Sequence, residues 1–201
     1  MKIGVFGGTF DPIHNGHVRA ARAFRETAVL DLLYVMPDKI PPHKQIGAYD
    51  APYLRFEMAR LAFAGDERTV VSDLELRREG KSYTYQTLCA LRDEGMTDLY
   101  LYCGTDMLLT LDSWYHATDI LTMCTVAYAG REHQNAELRA RVEAQRTLLC
   151  EKFGARILDI PLDPVEISSS EIRAMITAGQ NVSAYLPPSV YEFIKEKKLY
   201  Q

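Results

Sequence analysis

The chain has 201 residues, and 23 Lys and Arg against 27 Asp and Glu give a net charge of −4. That length suits one domain with a core of its own, and 47% hydrophobic with 25% charged residues excludes disorder, collagen and coiled coil. The mild acidity argues against bulk DNA or RNA as a partner, yet leaves room for a small anionic ligand held by local donors.

Short apolar runs alternate with helical patterns from the start. Residues 2–6 read as strand, 16–29 as helix and 32–36 as strand. A Pro-rich loop follows, then a helix from Pro52 to about Ala64, with Pro near its start and Gly65 past its end. Thr69 to Leu74 reads as strand, and Tyr83 to Glu94 as helix closed by Gly95. Strands follow at Asp98–Cys103, Val126–Tyr128 and Ala155–Ile160, with helices near 133–152, 169–178 and 188–197. This alternation predicts an α/β fold, a doubly wound parallel sheet with helices on both faces, occupying 1–201 as a single domain. Ligands of such sheets bind beyond the carboxyl ends of the strands, which points to the loops at 37–50 and 161–167.

No apolar run approaches the ~20 residues of a membrane span. The stretch Met1–Gly8 is too short and too soon followed by Asp11 and His14 to read as a signal peptide. Cys89, Cys103, Cys124 and Cys150 are scattered without a CxxC pair, so reduced core thiols in a cytoplasmic protein are expected.

The most informative stretch is the first turn, Gly7-Gly8-Thr9-Phe10-Asp11-Pro12-Ile13-His14-Asn15-Gly16-His17. Two glycines after a strand admit a ligand close to backbone N–H groups. The helix opening near Asn15 presents further N–H groups and a positive dipole end. His14 and His17, three apart, can both lie over one anion. The alternative is a tight turn with two capping histidines. The spacing is not that of a zincin, and no third zinc ligand is near. Neither GxGxxG nor GxxxxGKS is present.

Four further segments carry chemistry with a structural alternative beside it. Ser168-x-x-Glu171 is a capping box, yet Ser169, Ser170 and Arg173 in the same turn also fit a second phosphate site, and Arg173 near a helix start calls for an anionic partner. Pro41-Pro42 stiffens the approach to His43 and Lys44, which otherwise read as a solvated basic turn. Gly104-Thr105-Asp106 follows the strand Asp98–Cys103; Asp106 suits ribose hydroxyls or a helix cap. Trp114, the single tryptophan, lies among polar residues, and its structural alternative is buried core.

The run His14-Asn15-Gly16-His17 resembles the HxGH signature of the nucleotidyltransferase superfamily, and the whole turn is similar to the nicotinate-nucleotide adenylyltransferase family. Matching blocks follow in order: Met36-Pro37 to Lys44, Ser82-Tyr83-Thr84 with Thr87-Leu88, Gly104-Thr105-Asp106 to Trp114-Tyr115, Ile167 to Arg173, and Tyr185 to Tyr200. Many members carry Asp where Gln86 stands and Thr where Ser170 stands. The resemblance implies a Rossmann-like nucleotidyltransferase fold whose C-terminal helical part, about 168–201, packs on the rest. It implies adenylyl transfer from ATP to nicotinate mononucleotide, giving nicotinate adenine dinucleotide and pyrophosphate, a step of NAD biosynthesis. His14, His17 and Arg173 would be catalytic. Gly7, Gly8, Thr9, Phe10, Gly104, Asp106, Ser168 and Ser169 would bind ATP, with Mg²⁺ carried on its phosphates rather than in a protein cage. His43, Lys44, Thr84, Trp114 and Tyr115 would bind the mononucleotide. No nucleic acid or membrane partner is expected, and a homo-oligomer is compatible with the sequence. Nicotinamide mononucleotide or phosphopantetheine as acceptor, and a regulatory nucleotide-binding module, are the competing readings.

Overall fold

A computed structural model describes residues 1–40, 51–130, 135–162 and 167–201. In chain order the elements are β1 (Lys2–Gly8), α1 (Asn15–Thr27), β2 (Leu32–Pro37), α2 (Pro52–Ala62), β3 (Thr69–Val71), α3 (Thr84–Asp93) and β4 (Asp98–Gly104). Then come α4 (Thr105–Leu108), a 3₁₀ turn (Leu111–Ser113), α5 (Ala117–Met123), β5 (Cys124–Ala129), α6 (Ala136–Phe153), β6 (Arg156–Asp159), α7 (Ser169–Thr177) and α8 (Pro188–Glu196). The six strands form one sheet in the order β3-β2-β1-β4-β5-β6. β4 lies parallel to both β1 and β5, and β5 parallel to β6, with Lys2 opposite Asp98, Leu99 opposite Cys124, and Thr125 opposite Arg156. Consecutive residues Ile3 to Phe6, and nearly all of β5, are buried, as strands covered on both faces require. The strand order is that of the doubly wound dinucleotide folds, and it changes direction at β1.

The chain divides into two compact units. One gathers Met1–Phe6, Arg22–Leu33 and Tyr83–Pro164; the other gathers Gly7–Ala21, Tyr34–Ser82 and Val165–Gln201. The first has its core around Tyr102, whose ring meets Phe6 at 4.5 Å and Phe24 at 5.8 Å. In the second, α2 and α8 pack together, Met58 and Val190 are fully buried, and Ser189 Oγ donates to Leu61 O at 3.0 Å.

Three details depart from the sequence expectation. β3 stops at Val71 because Leu74 N donates back to Ser72 Oγ (3.2 Å), which turns the chain. Residues 105–123 hold α4, the 3₁₀ turn and α5, elements too short to show a helical period. The cysteines are not all core thiols: Cys103 and Cys124 are buried, and burial pushes the Cys124 thiol up to about 12, but Cys89 is half-buried and Cys150 exposed.

Candidate active site

The turn after β1 belongs wholly to the second unit. α1 starts at Asn15, where Asn15 N donates to Tyr185 O at 2.8 Å and Asn15 Nδ2 to Ala184 O at 3.1 Å. The helix start is therefore pinned to the segment before α8. The His14 and His17 rings lie 3.8 Å apart, tilted by 33°. Gly16 N donates to His14 Nδ1 at 3.1 Å, and His14 N donates to His17 Nδ1 at 3.2 Å. A ring accepting at Nδ1 carries its hydrogen on Nε2, so the backbone selects the tautomer of both histidines and makes Nε2–H the ring donor. His14 is buried at 3% exposure and His17 is half-buried. The Phe10 ring stands edge-on to His17 at 5.1 Å. A Cβ on Gly8 would sit 2.8 Å from Phe10 Cε1, so this residue has to be glycine for the ring to lie where it does.

The same turn is braced from three sides. Tyr200 Oη donates to Asp11 Oδ1 at 2.6 Å, and Arg173 Nη1 donates to Asp11 O at 2.6 Å with Asp11 Oδ2 at 3.6 Å. The anionic partner that the position of Arg173 calls for is thus Asp11. Burial and the adjacent Asp11 carboxylate push the Tyr200 hydroxyl above its ordinary range, which keeps it a donor. Ser169 Oγ donates to Pro12 O at 2.9 Å. From α2, Arg55 reaches Thr9 O at 2.6 Å and Asp38 O at 2.7 Å, and pairs with the Asp38 carboxylate at 3.2 Å.

α7 opens with the expected capping box. Ser168 Oγ and Ser168 N both donate to Glu171 Oε2 at 2.7 Å, and Glu171 N donates to Ser168 Oγ at 3.2 Å. The bonds from Ser168 hold the Glu171 carboxyl below its usual range. The Ser168 side chain is thereby committed to the cap, while Ser169 N–H lies in the first turn, which has no intrahelical acceptor for it.

The remaining expected residues lie in the first unit. β4 ends at Gly104, the N-cap of α4, so Asp106 sits exposed in the first turn of α4 rather than at its cap. Trp114 is half-buried rather than core, and its Nε1 donates to Thr110 Oγ1 at 3.2 Å. Tyr115 is 52% exposed, and its ring lies 4.8 Å from Tyr83, the residue before Thr84 at the start of α3. His43 and Lys44 lie outside the described residues, as do most of the two expected ligand loops.

Arg55 and Asp38 escaped the sequence reading. One signal was present: Arg55 shares the buried stripe of α2 with Met58 and Ala59, at i, i+3 and i+4, where an unpaired cation does not belong.

Comparison with known proteins adds the following. Residues 5–175 match the cytidylyltransferase-like family. A Clostridium botulinum protein named "Probable nicotinate-nucleotide adenylyltransferase" is 35% identical over 198 residues, covering 98% of each chain. One of the same name from Listeria welshimeri is 36% identical over 200 residues, covering 99% of this chain and 97% of its own. Among solved structures, the Plasmodium falciparum nicotinic acid mononucleotide adenylyltransferase complexed with NaAD is similar in fold, with TM-score 0.75 and 19% identity over 99% of this chain and 97% of that one.

Proposed function

The chain belongs to the cytidylyltransferase-like family and, within it, to the nicotinate-nucleotide adenylyltransferases; from that premise we propose that it joins ATP to nicotinate mononucleotide, releasing pyrophosphate, as a step of NAD biosynthesis. The observation that carries this reading is the pair of histidines whose Nδ1 atoms are tied to backbone N–H groups. Both rings then offer Nε2–H donors beside a glycine turn and a helix start, a donor set made for phosphate oxygens.

The acceptor phosphate has a second pKa of about 6 and is mostly dianionic at neutral pH, so it attacks without a general base. Its oxygen forms a bond to the α-phosphorus of ATP while the bond from that phosphorus to the bridging oxygen breaks, and the electron pair leaves with pyrophosphate. Catalysis is positioning and charge stabilisation. His17 and His14 hold α- and β-phosphate oxygens, the Gly7 to Phe10 backbone approaches the α-phosphate, and Arg173 with Ser169 N–H holds the leaving group. Ser168 serves at ATP through the helix start that it caps. Gly104 and Asp106 take the ribose hydroxyls. Trp114 stacks on the pyridine ring, with Tyr115 and Thr84 beside its carboxylate and His43 and Lys44 toward the mononucleotide phosphate. Residues 1–201 work as a single nucleotidyltransferase domain.

Mg²⁺ would arrive on ATP and neutralise charge on its phosphates. Among the described residues no group of three His, Cys, Asp or Glu side chains could hold a metal ion, and the imidazole and guanidinium donors at the turn suit the phosphates and not the cation. The ion's ligands would then be phosphate oxygens and water. The chain is expected to act without nucleic acid or membrane; among the described residues no helix is long and apolar enough to cross one. Pyrophosphate release, measured with ATP and nicotinate mononucleotide, nicotinamide mononucleotide and phosphopantetheine in parallel, tests the assignment. Release with the nicotinate acceptor foremost is expected, and release with none would remove it.

A further inference from the structure

Arg55 is the largest fully buried side chain among the described residues, at 1% exposure, and it is charged. Burying an ion pair is a poor route to stability, because desolvation offsets most of the attraction. What this pair touches gives it another use. Arg55 Nη1 donates to Thr9 O at 2.6 Å and lies 3.2 Å from Asp38 Oδ1; Nη2 donates to Asp38 O at 2.7 Å. Asp38 completes a closed frame: its Oδ2 accepts from Thr9 Oγ1 at 3.0 Å, and its N–H donates to Gly8 O at 3.0 Å. Every member of the frame lies in one compact unit.

The carbonyl of Thr9 and the N–H of Phe10 are opposite ends of one peptide group. That bond is trans, the only cis peptide among the described residues being Asp11–Pro12. In a trans peptide the carbonyl and the N–H point in opposite directions. A guanidinium that fixes Thr9 O toward α2 therefore fixes Phe10 N–H toward the opposite side, and its charge polarises the group so that the N–H becomes a stronger donor. The hold is needed because Phe10 has φ +51°, in the left-handed region that a bulky side chain avoids.

We infer that Arg55 is a positioning residue of the proposed adenylyl transfer: with Asp38 it sets the Thr9–Phe10 peptide plane so that Phe10 N–H faces one non-bridging α-oxygen of ATP. The inference rests on the proposed function. Arg55 touches no substrate; its effect passes through the peptide that it grips.

The test uses the full chain, Mg²⁺ throughout, and the two diastereomers of ATP in which sulfur replaces one α-oxygen. The parent enzyme should discriminate between the two diastereomers, because an N–H donates to oxygen better than to sulfur. Arg55→Lys keeps the charge but cannot span Thr9 O, Asp38 O and the carboxylate together. It should lower kcat ~10²-fold, the usual effect of one lost charge-stabilising donor, leave the KM for the mononucleotide within about twofold, and bring the diastereomer ratio toward one. Asp38→Asn preserves shape and loosens the same frame, so it should shift the ratio the same way with a smaller fall in kcat. It also serves should Arg55→Lys fail to fold. An unchanged ratio in every variant that melts cooperatively overturns the inference, even where kcat falls, since a general loss of structure would not single out one α-oxygen. A parent that releases no pyrophosphate from ATP and the mononucleotide removes the functional reading, and the inference with it.

Discussion

Two backbone amides, from His14 and Gly16, each end on an imidazole Nδ1, so the start of α1 presents two rings with their hydrogens on Nε2. A donor so fixed costs no reorganisation when charge builds on the α-phosphate, and its loss should be read in turnover. His17→Ala is expected to lower kcat ~10²–10³-fold while the melting temperature moves by only a few degrees; steady-state pyrophosphate release and a thermal melt check both. Arg173 stands differently, because one nitrogen already donates to Asp11 O and another donates to Ser170 Oγ at 3.2 Å. Its side chain is 36% exposed and keeps a face for a substrate anion. Arg173→Ala should raise the KM for ATP at least about tenfold, the equivalent of one charged hydrogen bond, with a smaller change for the mononucleotide. Varying each substrate at saturation of the other separates the two; equal losses would take Arg173 off the leaving group.

The start of α7 shows how an element carries a functional residue. Its capping box is local, four residues from Ser168 to Glu171, and it fixes the turn from which Arg173 projects. Glu171 titrates lower in the folded chain than in the unfolded one, because the carboxylate accepts from Ser168. The unfolded chain then binds its proton first, so this contribution is complete above the ordinary carboxylate range, about 4.3, and is lost as pH falls through the lowered value. Parent and Glu171→Ala should therefore differ in denaturation midpoint at pH 7 and converge below about pH 4; a constant difference across that range would contradict the box as its cause. Such local devices were legible in the sequence, as were the glycine turn, the paired histidines and the strand–helix alternation. Arg55 to Thr9, 46 residues apart, and Tyr200 to Asp11, 189 apart, were not. A tertiary contact leaves no spacing to read, and α4 and α5 are too short to leave a period.

For the whole molecule, the expected preference is nicotinate over nicotinamide mononucleotide. The two differ by a carboxylate in place of a carboxamide, and no arginine lies between Leu111 and Thr122 to clamp the carboxylate. Main-chain N–H groups near Thr84 and Trp114-Tyr115 would serve instead, and an amide NH₂ against two such donors leaves both unpaired. At ~1–3 kcal/mol each, this predicts roughly 10²- to 10⁴-fold discrimination in kcat/KM. Equal values for the two acceptors would overturn the nicotinate assignment and leave adenylyl transfer standing. The bracing of the β1 turn has a consequence for synthesis. Asp11, Pro12 and Asn15 are held by Arg173, Tyr200, Ser169, Ala184 and Tyr185, residues that lie 157 to 189 positions further along the chain. Nascent chains fold from their amino end as they emerge, yet the signature turn stays without these anchors until those later residues have been made. A chain that stalls before α7 carries every residue of the first turn proposed to bind phosphate and none of the hold on Asp11, so it should neither retain ATP nor spend it.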